Sequence, residues 1–207
     1  MSTKVTIQIG GLSWQEPTIV IDSAYRKRWR IPDQITIRFG CGRFKAAVVS
    51  GRRADAVRLS PQIAQATGLW PGAVVRMQYR PESRTLHLGP LIGVLLRKIG
   101  PPSLFGDNTA FAKELSDACA LYGACAVFLA PGDVSLSSGT VQAWYEHNGW
   151  HRATFPLPEI VYNRLTSRKY ENIPSVQDFM REVKSRGGHV FNERFLDKTE
   201  VFRLLRK

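Results

Sequence analysis

The chain has 207 residues, is 43% hydrophobic and 22% charged, and carries a formal net charge of +12, the composition of a globular protein with one large or two small domains. No apolar run nears the ~20 residues that span a bilayer, and the opening MSTKVTIQIGG alternates like a strand instead of forming a signal-peptide core, so no membrane partner is expected and the expected address is the cytoplasm. Cys41, Cys119 and Cys125 form an odd, unpaired set without a histidine companion, which argues against a disulfide framework or a zinc site and for buried free thiols.

Residues 1–100 hold 16 Lys+Arg against 5 Asp+Glu, whereas residues 101–207 hold 13 against 12. Such asymmetry predicts two domains with different partners. In chain order, short alternating runs predict strands at Val5–Ile9, Thr18–Ile21, Gln34–Phe39, Phe44–Val49, Ala56–Leu59, Val74–Tyr79 and Thr85–Leu88. This spacing suggests a small β-barrel. One helix is expected to interrupt it, with Ser60 as N-cap, Pro61 at the first helical position and Gly68 as the stop.

Beyond Gly89 the pattern changes to that of an α/β sheet. Leu91–Leu96 and Ala126–Leu129 are continuous apolar runs, expected as strands covered on both faces. Between them a helix from about Thr109 places Phe111, Leu115, Ala118, Cys119 and Tyr122 on one face and ends at Gly123. A hairpin, Thr140–Glu146 and Trp150–Phe155, turns at Asn148-Gly149. A strand at Glu159–Tyr162 follows. A helix after it is expected to be capped by Ser175 with Asp178 and closed by Gly187-Gly188, before a last strand at His189–Phe191.

Ligands of open α/β sheets bind beyond the carboxyl ends of the strands. That rule gathers Arg97 and Lys98, Pro131-Gly132-Asp133, and Asn163-Arg164 around one cationic crevice. Arg164 offers a planar fork for a carboxylate or phosphate, and Asn163 both a donor and an acceptor; in the alternative, Arg164 caps a strand end or pairs with Glu159 or Glu171 in solvent. No Walker-type loop, HExxH or GxSxG is present, so no catalytic residue is assigned. The loop GDVSLSSG either cradles a phosphate through its N–H groups or is a plain surface connection. His147 and His151 flank the hairpin turn, as a cross-strand solvent pair or as metal ligands.

Two segments, PLPEIVYNRLTSRKYE and FNERFLDKTEVFRLL, resemble the YheC/YheD family of endospore-coat-associated ATP-grasp proteins, over residues 86–207 well and the first 85 more loosely. The strand spacing and the charge asymmetry give a basic β-barrel-like domain over 1–88; the resemblance implies an α/β pre-ATP-grasp-like substrate domain over 89–196 and, at 197–207, the start of a helix, with Lys198, Val201, Leu204 and Leu205, leading into an ATP-grasp domain. It implies substrate-side roles for Asn163, Arg164, Arg168 and Asn192, beside Arg97. The substrate would be an acidic small molecule or polymer, and spore-coat components of a spore-forming bacterium would be partners. A complete member is expected to use ATP and Mg in carboxylate-amine ligation. This chain alone is expected to bind neither, because the lysines and acidic residues that hold them would lie past Lys207, and so to be inactive by itself.

The competing function is a non-enzymatic basic barrel that binds nucleic acid or another polyanion. YRKRWR sets Tyr25 and Trp29 among Arg26, Lys27, Arg28 and Arg30, and Arg52-Arg53 adds a second cluster. Phosphates attract such patches and rings stack on bases; otherwise the segment is a solvated loop before Pro32.

Overall fold

In the computed structural model, which describes residues 2–10, 14–100, 103–132, 134 and 139–193, the alternating first half closes into a seven-stranded barrel. Its strands are β1 (Thr3–Ile9), β2 (Thr18–Asp22), β3 (Gln34–Phe39), β4 (Gly42–Gly51), β5 (Ala56–Leu59), β6 (Val74–Arg80) and β7 (Thr85–Gly89), ordered β1-β5-β2-β4-β3-β7-β6. The period of two sends Val5, Ile7, Ile19, Ile21, Ile37 and Met77 inward, all at most 2% exposed, while their neighbours face out. Closure leaves no unpaired strand edge in the barrel.

Two helices interrupt the barrel. Helix α2 (Pro61–Thr67) follows the sequence rules: the Ser60 hydroxyl accepts from Ile63 N, Pro61 opens the first turn and Gly68 closes it at φ 72°. Helix α1 (Ser23–Trp29) is a correction, since its charged sequence reads as loop. The Asp22 carboxylate accepts from Ala24 N at 2.8 Å, and Arg30 ends the helix in the left-handed region. None of its residues is fully buried, so it lacks the apolar stripe by which helices are recognised.

The second sheet has the order β11-β10-β9-β8-β12-β13, built from β8 (Leu91–Leu95), β9 (Cys125–Leu129), β10 (Thr140–Glu146), β11 (Trp150–Pro156), β12 (Ile160–Asn163) and β13 (His189–Phe191). β9, β8, β12 and β13 run parallel, which puts their carboxyl ends along one edge. Helix α3 (Asn108–Tyr122) crosses from β8 to β9. Helices α4 (Arg168–Glu171) and α5 (Pro174–Ser185) connect β12 to β13.

Alternation divides the core of this sheet. Val94, Leu96, Ala126 and Phe128 pack with Ala112 and Cys119 of α3. Leu91, Leu95, Val127, Leu129 and Val161 join Val176, Phe179, Met180 and Val183 of α5 in a cluster continuous with the barrel interior. The expected α3 stripe needs adjusting: Phe111, Leu115 and Cys119 pack inward, but Tyr122 is 69% exposed and Ala118 is exposed, while Ala112 is buried. The expected Ser175–Asp178 cap is also not formed, because α5 begins at Pro174, two residues before the start such a cap would give, with no side-chain cap.

Barrel and sheet are tied by backbone. Cys41 N donates to Leu157 O at 2.8 Å and Arg76 N to Gly123 O at 2.7 Å. Lys4 Nζ reaches Leu121 O at 3.0 Å and Arg76 reaches Tyr122 O at 3.3 Å, so two barrel cations cap the negative end of α3. Gly123 sits at φ 75°, where a Cβ would meet Arg76 N at 2.9 Å; only glycine allows that approach. Trp70 stacks on Tyr145 at 4.1 Å between centroids.

Candidate functional site

At the carboxyl ends of the parallel strands lies a cleft of about 490 Å³ lined by Arg97, Lys98, Ile99, Ala130, Pro131, Gly132, Tyr170 and Ile173. β8 and β9 deliver the first six of these in register, Leu95 opposite Leu129, with Leu96 N donating to Leu129 O at 2.9 Å. The 97–98 and 131–132 segments that the sequence placed together are therefore together. Tyr170 and Ile173, from α4 and the start of α5, form the wall that sequence reading missed. The Arg97 guanidinium lies 5.6 Å from the Tyr170 ring centre, and Lys98 Nζ lies 5.6 Å from that of Trp144. These cation–π contacts hold two positive charges over aromatic faces.

The strand end at 163–164 is arranged differently from the expectation. Adjacent residues of a strand point to opposite faces, so Asn163 and Arg164 do not converge on one ligand. Asn163 is 3% exposed and faces inward: its Nδ2 donates to Glu171 Oε1 at 2.7 Å and its Oδ1 accepts from Leu165 N at 3.1 Å. The amide thus fastens the 165–171 segment to the end of β12. Arg164 turns to the α3 side, 4.0 Å from the Phe111 ring centre, with Nε donating to Asn108 Oδ1 at 3.2 Å. Arg168 is exposed at the first position of α4, and Asn192 is exposed just past β13 at φ 52°. Asp133, positions 135–138 of the GDVSLSSG loop and the 197–207 helix lie outside the described residues.

Chemically, the cleft suits binding and orienting an anion. Its described lining contains no carboxylate, serine or threonine hydroxyl, or thiol, and its one hydroxyl is the phenol of Tyr170. Burial pushes the Cys125 thiol up to about 12, with Cys119 adding to the shift, and burial also raises Cys119 and Cys41, so all three stay protonated at neutral pH. Among the described residues no group of three His, Cys, Asp or Glu side chains is placed to hold a metal. His147 and His151 meet through one bond, His151 Nε2 to His147 O at 2.9 Å.

The two basic clusters of the barrel meet at one end of it. Asp22 of β2 lies opposite Gly51 of β4, and Arg26 bonds Ser50 Oγ at 3.0 Å as well as pairing with Asp33. Lys27, Arg28, Arg30, Arg52 and Arg53 are exposed there, and Arg53 lies 3.4 Å from Asp55. A groove of about 450 Å³ floored by Val20, Val49 and Ala56 takes in Arg52, Arg53 and Arg58. Arg26 is thus committed to structure, and Arg58 is an addition that the sequence clusters did not suggest.

No family model matches the chain. The endospore coat-associated protein YheD of Bacillus subtilis (strain 168) is 28% identical over 127 residues, covering 59% of this chain and 28% of the relative's length. By that similarity the chain is YheC/YheD-like. No described helix is long and apolar enough to cross a membrane.

Proposed function

We propose that this YheC/YheD-like chain is the ligand-orienting part of a spore-coat-associated, ATP-grasp ligase-like protein, with an acidic small molecule or polymer end held in the cleft at the carboxyl ends of β8, β9 and β12. The observation that carries the reading is the placement of Arg97 and Lys98 over Tyr170 and Trp144 at the mouth of that cleft. An arginine fork and an ammonium that line one cleft attract a carboxylate or phosphate, and the apolar walls from Ala130, Pro131 and Ile173 would take the rest of the ligand. Arg168, exposed at the start of α4, is a further substrate-side candidate, while Asn163 positions the segment that carries Tyr170.

The chain's residues bind and orient in this reading. ATP and Mg belong to the activation of a carboxylate in a complete family member, and the described residues supply no step through them. The resemblance further supports the boundaries 1–88 and 89–196 for barrel and substrate domain. Isothermal titration of the purified chain with citrate and with inorganic phosphate tests the proposal. Binding should weaken about tenfold or more in R97Q/K98Q. Equal affinity of the variant and the parent, or Mg–ATP hydrolysis by the chain alone, would overturn it.

A further inference from the structure

The barrel's register assembles a charged surface from residues that are far apart in sequence. Arg38 of β3 lies opposite Arg43 of β4 on one side and His87 of β7 on the other, and His87 lies opposite Gln78 of β6. Two residues along, Thr36 lies opposite Lys45 and Thr85, and Thr85 opposite Arg80. These two ranks occupy one outer face of four adjacent strands. None of the eight positions holds a carboxylate or an apolar side chain, and the one aromatic ring among them is the half-buried imidazole of His87. Arg43, Lys45 and Arg80 are exposed, whereas Arg38 is drawn 3.8 Å from Glu159 at the face's lower edge.

Folding alone does not account for this face. Like charges directly opposite on neighbouring strands are destabilising, yet Arg38 and Arg43 are so placed. Cations that guard exposed strand edges against aggregation are not needed on a closed barrel. The charges also converge: burial together with Arg80, Arg38 and Arg43 lowers the His87 pKa to about 4. Below the ranks the face opens into a cleft of about 350 Å³ that His87 and Arg38 share with Arg76, Glu159 and His189.

We propose that this face docks an acidic polypeptide segment lying extended along β3 and β4. Same-face residues of a strand repeat every ~6.6–6.8 Å, and alternate carboxylates of an extended chain repeat at the same distance, so they can meet Lys45 and Arg43 in succession, with Arg38 flanking. The arginine fork matches a carboxylate. The face offers no Phe, Tyr or Trp ring on which bases could stack, and its one imidazole, His87, is half-buried, unlike the aromatic platforms that hold single-stranded nucleic acid. Closure removes the option of adding a strand to a free edge, so recognition runs through side chains. This docking is independent of the cleft beside Arg97.

The test is fluorescence anisotropy of the full chain at low salt with a fluorescein-labelled peptide of alternating Glu and Thr, and with labelled oligothymidylate as comparator. R43E/K45E, which changes two exposed side chains, should weaken peptide binding about tenfold or more. R43Q/K45Q should weaken it less, and R52E/R53E and R97Q/K98Q should leave it near the parent value. NMR should show the ring signals of His87 shifting as the peptide binds, because Arg38 and Arg43 beside it are then partly neutralised. The proposal is overturned by absence of peptide binding, by equal loss in R52E/R53E, by tighter binding of oligothymidylate through the same residues, or by an unmoved His87 in the complex.

Discussion

Replacing Asn163 by alanine separates a structural role from a ligand contact. The side chain is 3% exposed, donates to Glu171 Oε1 at 2.7 Å and accepts from Leu165 N at 3.1 Å. Losing a hydrogen bond to a carboxylate costs about 1.5–3 kcal/mol, and leaving the buried Leu165 N–H without its acceptor costs about 1–3 kcal/mol. With partial relaxation, a net loss of about 3 kcal/mol is expected for N163A. For a chain of this size each kcal/mol lowers Tm by about 2–4 °C, so calorimetry should show a fall of about 6–12 °C. A double-mutant cycle with E171Q should recover a coupling of about 1–2 kcal/mol, because the two side chains share one buried bond. Citrate affinity, measured well below the melting transition, should fall far less in N163A than in R97Q/K98Q. If Tm moves by less than about 2 °C while citrate binding disappears, Asn163 faces the ligand and the inward assignment is wrong.

Three further outcomes follow from the same geometry. His87, with its pKa lowered to about 4 from 6.5, stabilises the fold fully above pH 6.5; between there and about pH 4 the unfolded chain takes up a proton that the folded chain refuses. Stability should therefore fall over that window, by roughly 1–2 kcal/mol after discounting for solvent screening, and H87Q should flatten this part of the pH profile in urea titrations. Ellman's reagent at neutral pH should modify half-buried Cys41 first and reach Cys119 and Cys125 only in guanidinium, since these two are buried with raised pKa values; rapid labelling of all three in the native state would contradict the packing of α3 on β9. W70A removes the ring stacked on Tyr145 at 4.1 Å and edge-on to Phe155, and should cost about 2–4 kcal/mol of stability by chemical denaturation.

Much of the fold is legible because it is written in local signals. Strands Gln34–Phe39, Ala56–Leu59 and Thr140–Glu146 have the bounds that alternation and turn residues predict, and Ser60, Pro61 and Gly68 delimit α2 as capping rules require. Helix α1 escapes because its stability comes from the Asp22 cap and a tilted Tyr25–Trp29 pair at 5.1 Å, not from an apolar stripe. Helix α4 is a single turn, too short for any periodicity. The cationic face on β4, β3, β7 and β6 is invisible to a reading of runs, since strand register alone brings positions 38, 43, 80 and 87 together.

The strand-end rule located the crevice but misassigned its contacts for one physical reason. It treats the residues after a strand as a group, whereas the pleat deals them alternately to two faces. On β12 that sends Asn163 toward Glu171 and Arg164 toward Phe111; after β8 it sends Arg97 toward Tyr170 and Lys98 toward Trp144. The second pair still shares a ligand space because β9 ends beside it and the 130–132 segment bridges both sides, while the first pair is separated by the buried Asn163–Glu171 bond. Positive charge at the carboxyl edge of this sheet is thus split between a cleft-lining pair at 97–98 and Arg164, which packs on Phe111. It follows that R164Q should disturb α3 docking and stability before it disturbs anion affinity, and R97Q the reverse, a contrast that calorimetry and titration on the two single variants can read directly.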